Sequence, residues 1–178
     1  VGAGAIRTLA LEAKLDIQVE QNWGESLPYH DATFDLVHGR QVLHHARDLQ
    51  QLCREAARVL KPGGLFIATR EHVISKKEDL PLFLAAHPLH EMYGGENAYL
   101  LDDYLQAIGE AGLELMSVLN PYQSNINLYP ETIADLTRRV ASKLHLPATL
   151  IPQFLLAHLG ARSHAPGRLY SFVAHKHG

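Results

Sequence analysis

Apolar positions along the chain follow two periods, one typical of strands and the other of helices. Short apolar or alternating runs predict strands at 17–20, 34–37, 65–69, 113–120 and 168–175. Apolar residues spaced three and four positions apart predict helices at 5–15, 49–60, 75–86, 101–112, 131–144 and 151–159. Strands that alternate with helices in this way are typical of an α/β fold with a mostly parallel sheet.

The clearest unit is a β-α-β segment within 24–66. Its first strand, 34–37, leads to a helix for which Asp48 is the predicted N-cap. The Lys-Pro-Gly-Gly sequence at 61–64 predicts a sharp end to this helix, after which the strand at 65–69 is continuously apolar. The rest of the sheet is expected to extend from this unit.

Polar residues follow both strands of this unit. They are His38, Gly39, Arg40 and Gln41 after the first strand, and Arg70, Glu71 and His72 after the second. Open parallel sheets bind ligands at the carboxyl ends of their strands, so both clusters are candidate sites. A salt-bridged surface turn is the alternative interpretation of residues 70–72.

Composition narrows the classes of function. The chain has 178 residues, of which 47% are hydrophobic and 20% charged, with a formal net charge of −3. This length and hydrophobic content predict one domain spanning 1–178. A nucleic-acid partner is not expected, because basic residues form no run or stripe. No apolar run reaches the roughly 18–20 residues of a membrane span, and the amino terminus lacks a signal-peptide pattern. The lone Cys53 predicts a packed side chain in a reducing compartment such as the cytoplasm.

The twelve histidines are not expected to form a metal site. Their spacing matches neither His-Glu-x-x-His nor a Cys/His zinc pattern. His44 and His45 are adjacent, and on a helix adjacent side chains point about 100° apart. Pro88 would interrupt a helix carrying both His87 and His90.

Several motifs together resemble those of the class I, Rossmann-like S-adenosylmethionine-dependent methyltransferases that act on small molecules. They are Gly-Glu-Ser-Leu-Pro-Tyr at 24–29, Phe-Asp-Leu-Val at 34–37, Leu-His-His at 43–45, Arg-Val-Leu-Lys-Pro-Gly-Gly at 58–64 and Ala-Gly-Leu at 111–113. The resemblance is firm over about 24–70 and looser over 71–120. It implies a three-layer Rossmann-like sandwich whose last strand is antiparallel, with a helical insertion at about 121–166.

The same resemblance implies S-adenosylmethionine as the cofactor and a small molecule as the substrate. Residues 1–70 would be a partial cofactor-binding half, and residues 71–178 the substrate-side half. The implied cofactor-binding residues are Trp23, Gly24, Glu25, His38, Gly39 and Arg40. Trp23 stands where the family usually has an aspartate, so stacking on adenine would replace a hydrogen bond to its amine.

Two assignments of the amino-terminal residues are open. In the first, 5–20 form the helix and strand that precede the Leu-Pro motif, and the glycine-rich and ribose-binding motifs are absent. In the second, Gly2-Ala3-Gly4 is the glycine-rich loop and Glu20 the ribose-binding acid, at nearly the expected spacing. Either way at least one β-α unit is missing, which predicts an amino-truncated methyltransferase.

Methyl transfer requires an aligned nucleophile and, for some acceptors, a base. Histidine is suited to accept a proton near neutral pH, so His44, His72 and His90 are the candidate catalytic residues. The candidate substrate-binding residues are Arg70, Glu71 and Tyr93. Arg70 and Arg40 would either hold an anionic substrate or pair with Glu71 and Asp35.

Two other classes of function remain as alternatives. A truncated sheet exposes an edge, so a non-catalytic, methyltransferase-like binding module is the main one, with homo-oligomers formed through that edge. A nicotinamide-dependent enzyme is disfavoured, because no strand precedes the Gly-Ala-Gly sequence.

Overall fold

The computed structural model describes residues 2–178, except for the side chain of Tyr93. Its strands are β1 (Phe34–Arg40), β2 (Leu60–Ile74), β3 (Tyr99–Leu100), β4 (Leu113–Leu119) and β5 (Arg168–Lys176). The order along the sheet is β1-β2-β5-β4, and β3 pairs with β2 beyond the end of β1. Both β1 and β3 are parallel to β2, whereas β5 is antiparallel to β2 and β4. The prediction of a mostly parallel sheet with an antiparallel last strand is confirmed.

Helices cover both faces of the sheet. They are α1 (Gly2–Glu12), α2 (Leu49–Val59), α3 (Leu80–Ala86), α4 (Pro88–Tyr93), α5 (Leu101–Glu110), α6 (Asn125–Leu128), α7 (Ile133–Leu144) and α8 (Gln153–Ala161). Alternate residues of β5 point to opposite faces. Phe172 joins the core beneath α2 and α5, while the Ser171 hydroxyl donates a 2.6 Å hydrogen bond to Asn127 of α6. The arrangement is therefore three-layered, as expected.

The main core lies between the sheet and the helices α2 and α5. The Asp48 side chain accepts a hydrogen bond from the backbone N–H of Gln51, so the predicted N-cap of α2 is confirmed. Cys53 is fully buried in this core, and burial raises the pKa of its thiol to about 12. The prediction that Cys53 packs rather than reacts agrees with this environment.

Three expectations fail. Residues 17–20 form no strand; a strand needs a partner, and the outer edge of β1 carries none within 2–178. Gly2 to Gly4 form the first turn of α1, which removes the loop required by the second amino-terminal assignment. Pro88, expected to interrupt a helix, begins one instead, so the segment 87–99 contains α4 and the start of β3.

Candidate functional site

β1 ends beside the second half of β2, since its last residue, Arg40, is paired with Thr69 and β2 continues to Ile74. Immediately beyond this pair, the register between β2 and β5 shifts between Ala68 and Glu71. Arg70 occupies this bulge with a φ of 62°, in the left-handed region that non-glycine residues rarely adopt. The bulge re-aims the side chains at the end of β2.

Arg70 is held by the insertion on the other face of the sheet. Its guanidinium donates hydrogen bonds to the carbonyl oxygens of Ile126, at 2.6 Å, and Tyr129, at 3.1 Å. Burial lowers the pKa of Arg70, and the nearby Arg40 adds to that effect. The expected alternative in which Arg70 pairs with Glu71 is therefore wrong, and its role in substrate binding stays a prediction.

Glu71 binds the turn that follows β1. Its carboxylate accepts hydrogen bonds from the backbone N–H groups of Val42 and His44, both at 3.1 Å. It also lies 2.7 Å from Nδ1 of the His44 ring. Because these bonds fix both the turn and the ring, Glu71 is a positioning residue for His44, and the expected surface turn at 70–72 is wrong.

His44 faces a second carboxylate with its other nitrogen. Its Nε2 lies 3.5 Å from Oε2 of Glu96, and Nε2 of the neighbouring His45 lies 3.9 Å from the same oxygen. The His45 ring is turned this way because its Nδ1 is 2.9 Å from the carbonyl oxygen of Gly95. Adjacent histidines can therefore approach the same carboxylate here, whereas the expectation that this pair does not share a metal stays a prediction.

His72 completes the cluster from β2. Its ring centroid lies 4.6 Å from that of His44, and its Nδ1 is 2.8 Å from the carbonyl oxygen of Gly167. The Tyr104 hydroxyl donates a 2.9 Å hydrogen bond to the His72 carbonyl, which fixes the backbone. Burial lowers the pKa of His72 to about 4, so the ring is neutral near pH 7.

A cavity of about 440 Å³ opens onto His72, and it is also lined by Phe83, His87 and Gly167. A larger cavity of about 550 Å³ lies between α2 and α5 and includes none of the predicted site residues. We therefore associate the candidate chemistry with the smaller cavity.

The structure assembles some of the predicted residues and adds one. One side-chain ligand atom from each of His44, His72 and Glu96 lies within 4.8 Å of the other two. Sequence reasoning missed Glu96. The signal available in the sequence was the glycine pair Gly94-Gly95, which is typical of a tight turn. In the structure both glycines have positive φ, and the turn places the side chain of the next residue in the cluster. His90 is outside this trio, and the Tyr93 side chain lies outside the described part of the chain.

The predicted adenine loop carries an exposed aromatic ring. The indole of Trp23 is 70% exposed, and the guanidinium of Arg47 lies 5.5 Å from its ring centroid. Glu25 accepts a 2.9 Å hydrogen bond from the backbone N–H of Arg47, which fixes the loop against the start of α2. Gly24 packs closely, because a Cβ there would lie 3.0 Å from Leu52.

The predicted methionine side lies at the end of β1. Nε2 of His38 is 3.2 Å from the Thr69 hydroxyl, and Arg40 is exposed. A Cβ at Gly39 would lie 3.3 Å from Leu43, so this glycine allows the following turn to fold back tightly. The expected alternative pairing of Asp35 with an arginine is wrong, because Asp35 pairs with Lys61 at 2.8 Å.

Comparison with known proteins agrees with this architecture. The profile of the family described as "Methyltransferase domain" matches residues 3–68, which contain the motifs at 24–29, 34–37 and 58–64. Residues 3–68 are thus similar to a methyltransferase domain. In the structure, β5 is the antiparallel last strand that the family resemblance implies.

One curated relative is the 27-O-demethylrifamycin SV methyltransferase of Amycolatopsis mediterranei. It is 35% identical over 108 residues, which are 59% of this chain and 39% of that protein. The chain thus spans well under half the length of this relative.

Two solved structures share the fold of this chain. The geranyl diphosphate methyltransferase in complex with SAM has a TM-score of 0.65 at 15% identity, covering 98% of this chain and 64% of that one. The cyclase SpnF has a TM-score of 0.60 at 20% identity, covering 98% and 62%. These likenesses concern the fold alone. Among residues 2–178, no helix combines the length and apolar character needed to cross a membrane.

Proposed function

We propose that this chain is the acceptor-binding part of an S-adenosylmethionine-dependent methyltransferase that acts on a small molecule. The observation that carries the proposal is the cluster of His44, Glu71, His72 and Glu96 at the carboxyl ends of β1 and β2. That edge is where parallel α/β sheets bind their ligands. The adjoining cavity of about 440 Å³ has the size of a small-molecule site.

The residues present suit one side of the cofactor. The exposed indole of Trp23 offers a face for adenine, and the loop around Gly24 and Glu25 is fixed beside it. His38, Gly39 and Arg40 would line the methionine side. When bound, S-adenosylmethionine supplies an electrophilic methyl group. Glu20, the alternative ribose acid, instead accepts a 2.8 Å hydrogen bond from the Tyr29 hydroxyl.

The protein's part in methyl transfer is chiefly alignment. The buried cluster would hold the acceptor heteroatom while its lone pair forms the bond to carbon and the carbon–sulfur bond breaks. An acceptor that carries a proton must release it as that bond forms. His90 stays a candidate for this proton, because its buried Nδ1 has no hydrogen-bond partner among the described residues, although it does not line the cavity.

We also propose that strands from outside residues 1–178 complete the sheet along the outer edge of β1. That edge has no partner strand within 2–178, and Leu36 on it is exposed. The same observation supports a second candidate function, a binding module whose β1 edge pairs with another copy of the chain.

Calorimetric titration with S-adenosylhomocysteine, the unreactive product, tests the proposal on residues 1–178 and on the longest natural form of the protein. We expect the longest form to bind, and Trp23→Ala to weaken binding about 2- to 10-fold through lost stacking. Phe154→Ala is the matched control, because this ring is equally exposed but lies on α8.

Absence of binding by both forms would contradict the methyltransferase proposal. If residues 1–178 also formed a concentration-dependent dimer in sedimentation experiments, the binding-module function would be favoured instead. Equal losses in Trp23→Ala and Phe154→Ala would remove Trp23 from the cofactor site.

A further inference from the structure

Three side chains of the cluster converge on one point from three segments. We call His44, His72 and Glu96 the buried trio. His44 follows β1, His72 lies among the last residues of β2 before its end at Ile74, and Glu96 follows the Gly94-Gly95 turn. Their side chains are almost fully enclosed, with exposures of 1% for His44 and 8% for Glu96, and His72 is also buried.

The spacing of these atoms suits a shared metal ion. Four-coordinate zinc with ligand bonds near 2.1 Å places its ligand atoms roughly 3.4 Å apart. Nε2 of His44 and Oε2 of Glu96 are already 3.5 Å apart. The ligand atom of His72 lies within 4.8 Å of both. A small rotation of its ring would bring this atom to the spacing that a shared ion requires.

Both histidines are oriented as metal ligands are. A metal-binding histidine typically donates its other ring N–H to a carboxylate or a backbone carbonyl. Nδ1 of His44 donates to Glu71 over 2.7 Å, and Nδ1 of His72 donates to the Gly167 carbonyl over 2.8 Å. These tautomers leave Nε2 of each ring with a free lone pair.

The negative charge of the carboxylates in this region favours the binding of a cation. Glu71 and Glu96 are both buried, and the ionisable groups that face them are His44, His45 and His72, with His87 beyond His72. Two lone pairs and a carboxylate that face one another in a buried space are unfavourable without a positive charge between them. A divalent ion would balance both carboxylates.

We propose that His44, His72 and Glu96 form a binding site for a divalent transition-metal ion, with Zn²⁺ as the preferred ion. Two imidazoles and one carboxylate form a set that zinc favours, whereas Mg²⁺ and Ca²⁺ prefer oxygen ligands. Three protein ligands leave a fourth position open, and one of the three, His72, also lines the cavity of about 440 Å³.

The ion would also have a role in the reaction. At the carboxyl ends of β1 and β2 it would coordinate an acceptor oxygen and stabilise its deprotonated form. This role rests on the proposed methyltransferase function, whereas the binding of the ion does not. Metal binding and methyl transfer are therefore measured separately.

The test measures Zn²⁺ and Co²⁺ binding to chelator-treated protein, by calorimetry and by the visible absorption of four-coordinate Co²⁺. We expect one ion per chain, and a loss of affinity of about 100-fold in Glu96→Gln, which removes one of three ligands. His177→Gln is the matched control, because His177 belongs to an exposed His/Glu group elsewhere on the chain. It is expected to bind as the wild type does.

Circular dichroism of the metal-free variants checks their folding. If Glu96→Gln does not fold, His72→Gln, which removes another of the three ligands, takes its place, while His177→Gln tests whether the exposed group binds the ion instead. Three results would overturn the proposal: no binding by the wild type, wild-type affinity in a folded variant of the buried trio, or loss of binding in His177→Gln.

Discussion

The described residues 2–178 include two close groups of histidine and glutamate, one at each end of the sheet. The buried trio lies at the carboxyl ends of β1 and β2. The second group, Glu114, His175 and His177, lies at the start of β4 and the end of β5. Its distances are just as short, with Nε2 of His177 2.9 Å and Nε2 of His175 3.5 Å from Oε2 of Glu114.

The two groups differ in what surrounds them. Glu114 and His177 have exposed fractions of 55% and 68%, so water screens their interaction. In the buried trio, each histidine has a second hydrogen-bond partner that fixes its ring. Close contacts between the same residue types are therefore not enough to identify a site. Burial and a fixed orientation separate a candidate site from a surface ion pair.

The largest expected difference concerns Glu71, which lies beside the buried trio, and Glu114, which belongs to the exposed group. Glu71→Gln should lower the free energy of unfolding by about 3 kcal/mol, because it removes a buried charge and replaces one carboxylate oxygen by an NH2 group that cannot accept from the N–H donors facing it. Glu114→Gln should change it by less than about 0.5 kcal/mol, as surface substitutions do. Urea unfolding of both variants measures this. Similar losses would mean that burial does not separate the two groups.

A smaller effect is expected at Gly167, whose carbonyl orients His72. This glycine has a φ of 75°, and a Cβ there would overlap the ring of Phe83. Gly167→Ala should therefore cost about 2 kcal/mol of stability. Gly109→Ala, on the exposed side of α5 with no atom within 4 Å of the new Cβ, should add about 0.5–1 kcal/mol. Thermal unfolding of both variants shows whether each substitution raises or lowers the stability. A Gly167→Ala variant as stable as the wild type would contradict the close packing around His72.

The smallest effect is expected at Lys176, beside the exposed group. Its ammonium donates hydrogen bonds to the carbonyl oxygens of Ala57, at 2.7 Å, and Leu60, at 2.8 Å, at the end of α2. Lys176→Met should cost about 1 kcal/mol, and His177→Gln less than about 0.5 kcal/mol. Chemical denaturation distinguishes them. A larger loss in His177→Gln would show that the exposed histidines also stabilise the fold.

Local signals were enough to predict most of the helices and strands. The Asp48 cap and the apolar periodicity of 49–60 predict α2 closely, because capping and amphipathic spacing are properties of neighbouring residues. The alternation at 17–20 predicts a strand that does not form, because a strand also depends on a partner. The positive φ at Arg70 carries no signal in the sequence, since it arises from the bulge between β2 and β5.

The candidate site was only partly predictable. His44 and His72 were found because they follow strands whose carboxyl ends meet. Glu96 was missed because 52 residues separate it from His44, and no local pattern links the two. The partners of His72 and Arg70, at Gly167 and Ile126, are likewise far away along the chain.

By itself, the sequence determined the resemblance to methyltransferases, the α/β fold and the strands that carry the candidate site, because periodicity, caps and motifs are local. The tertiary structure alone decided that Glu71 orients His44 and that Glu96 faces the same ring. It also decided which of two similar His/Glu groups is buried. These properties depend on distances between side chains far apart in the sequence, and such distances exist only once the sheet has formed.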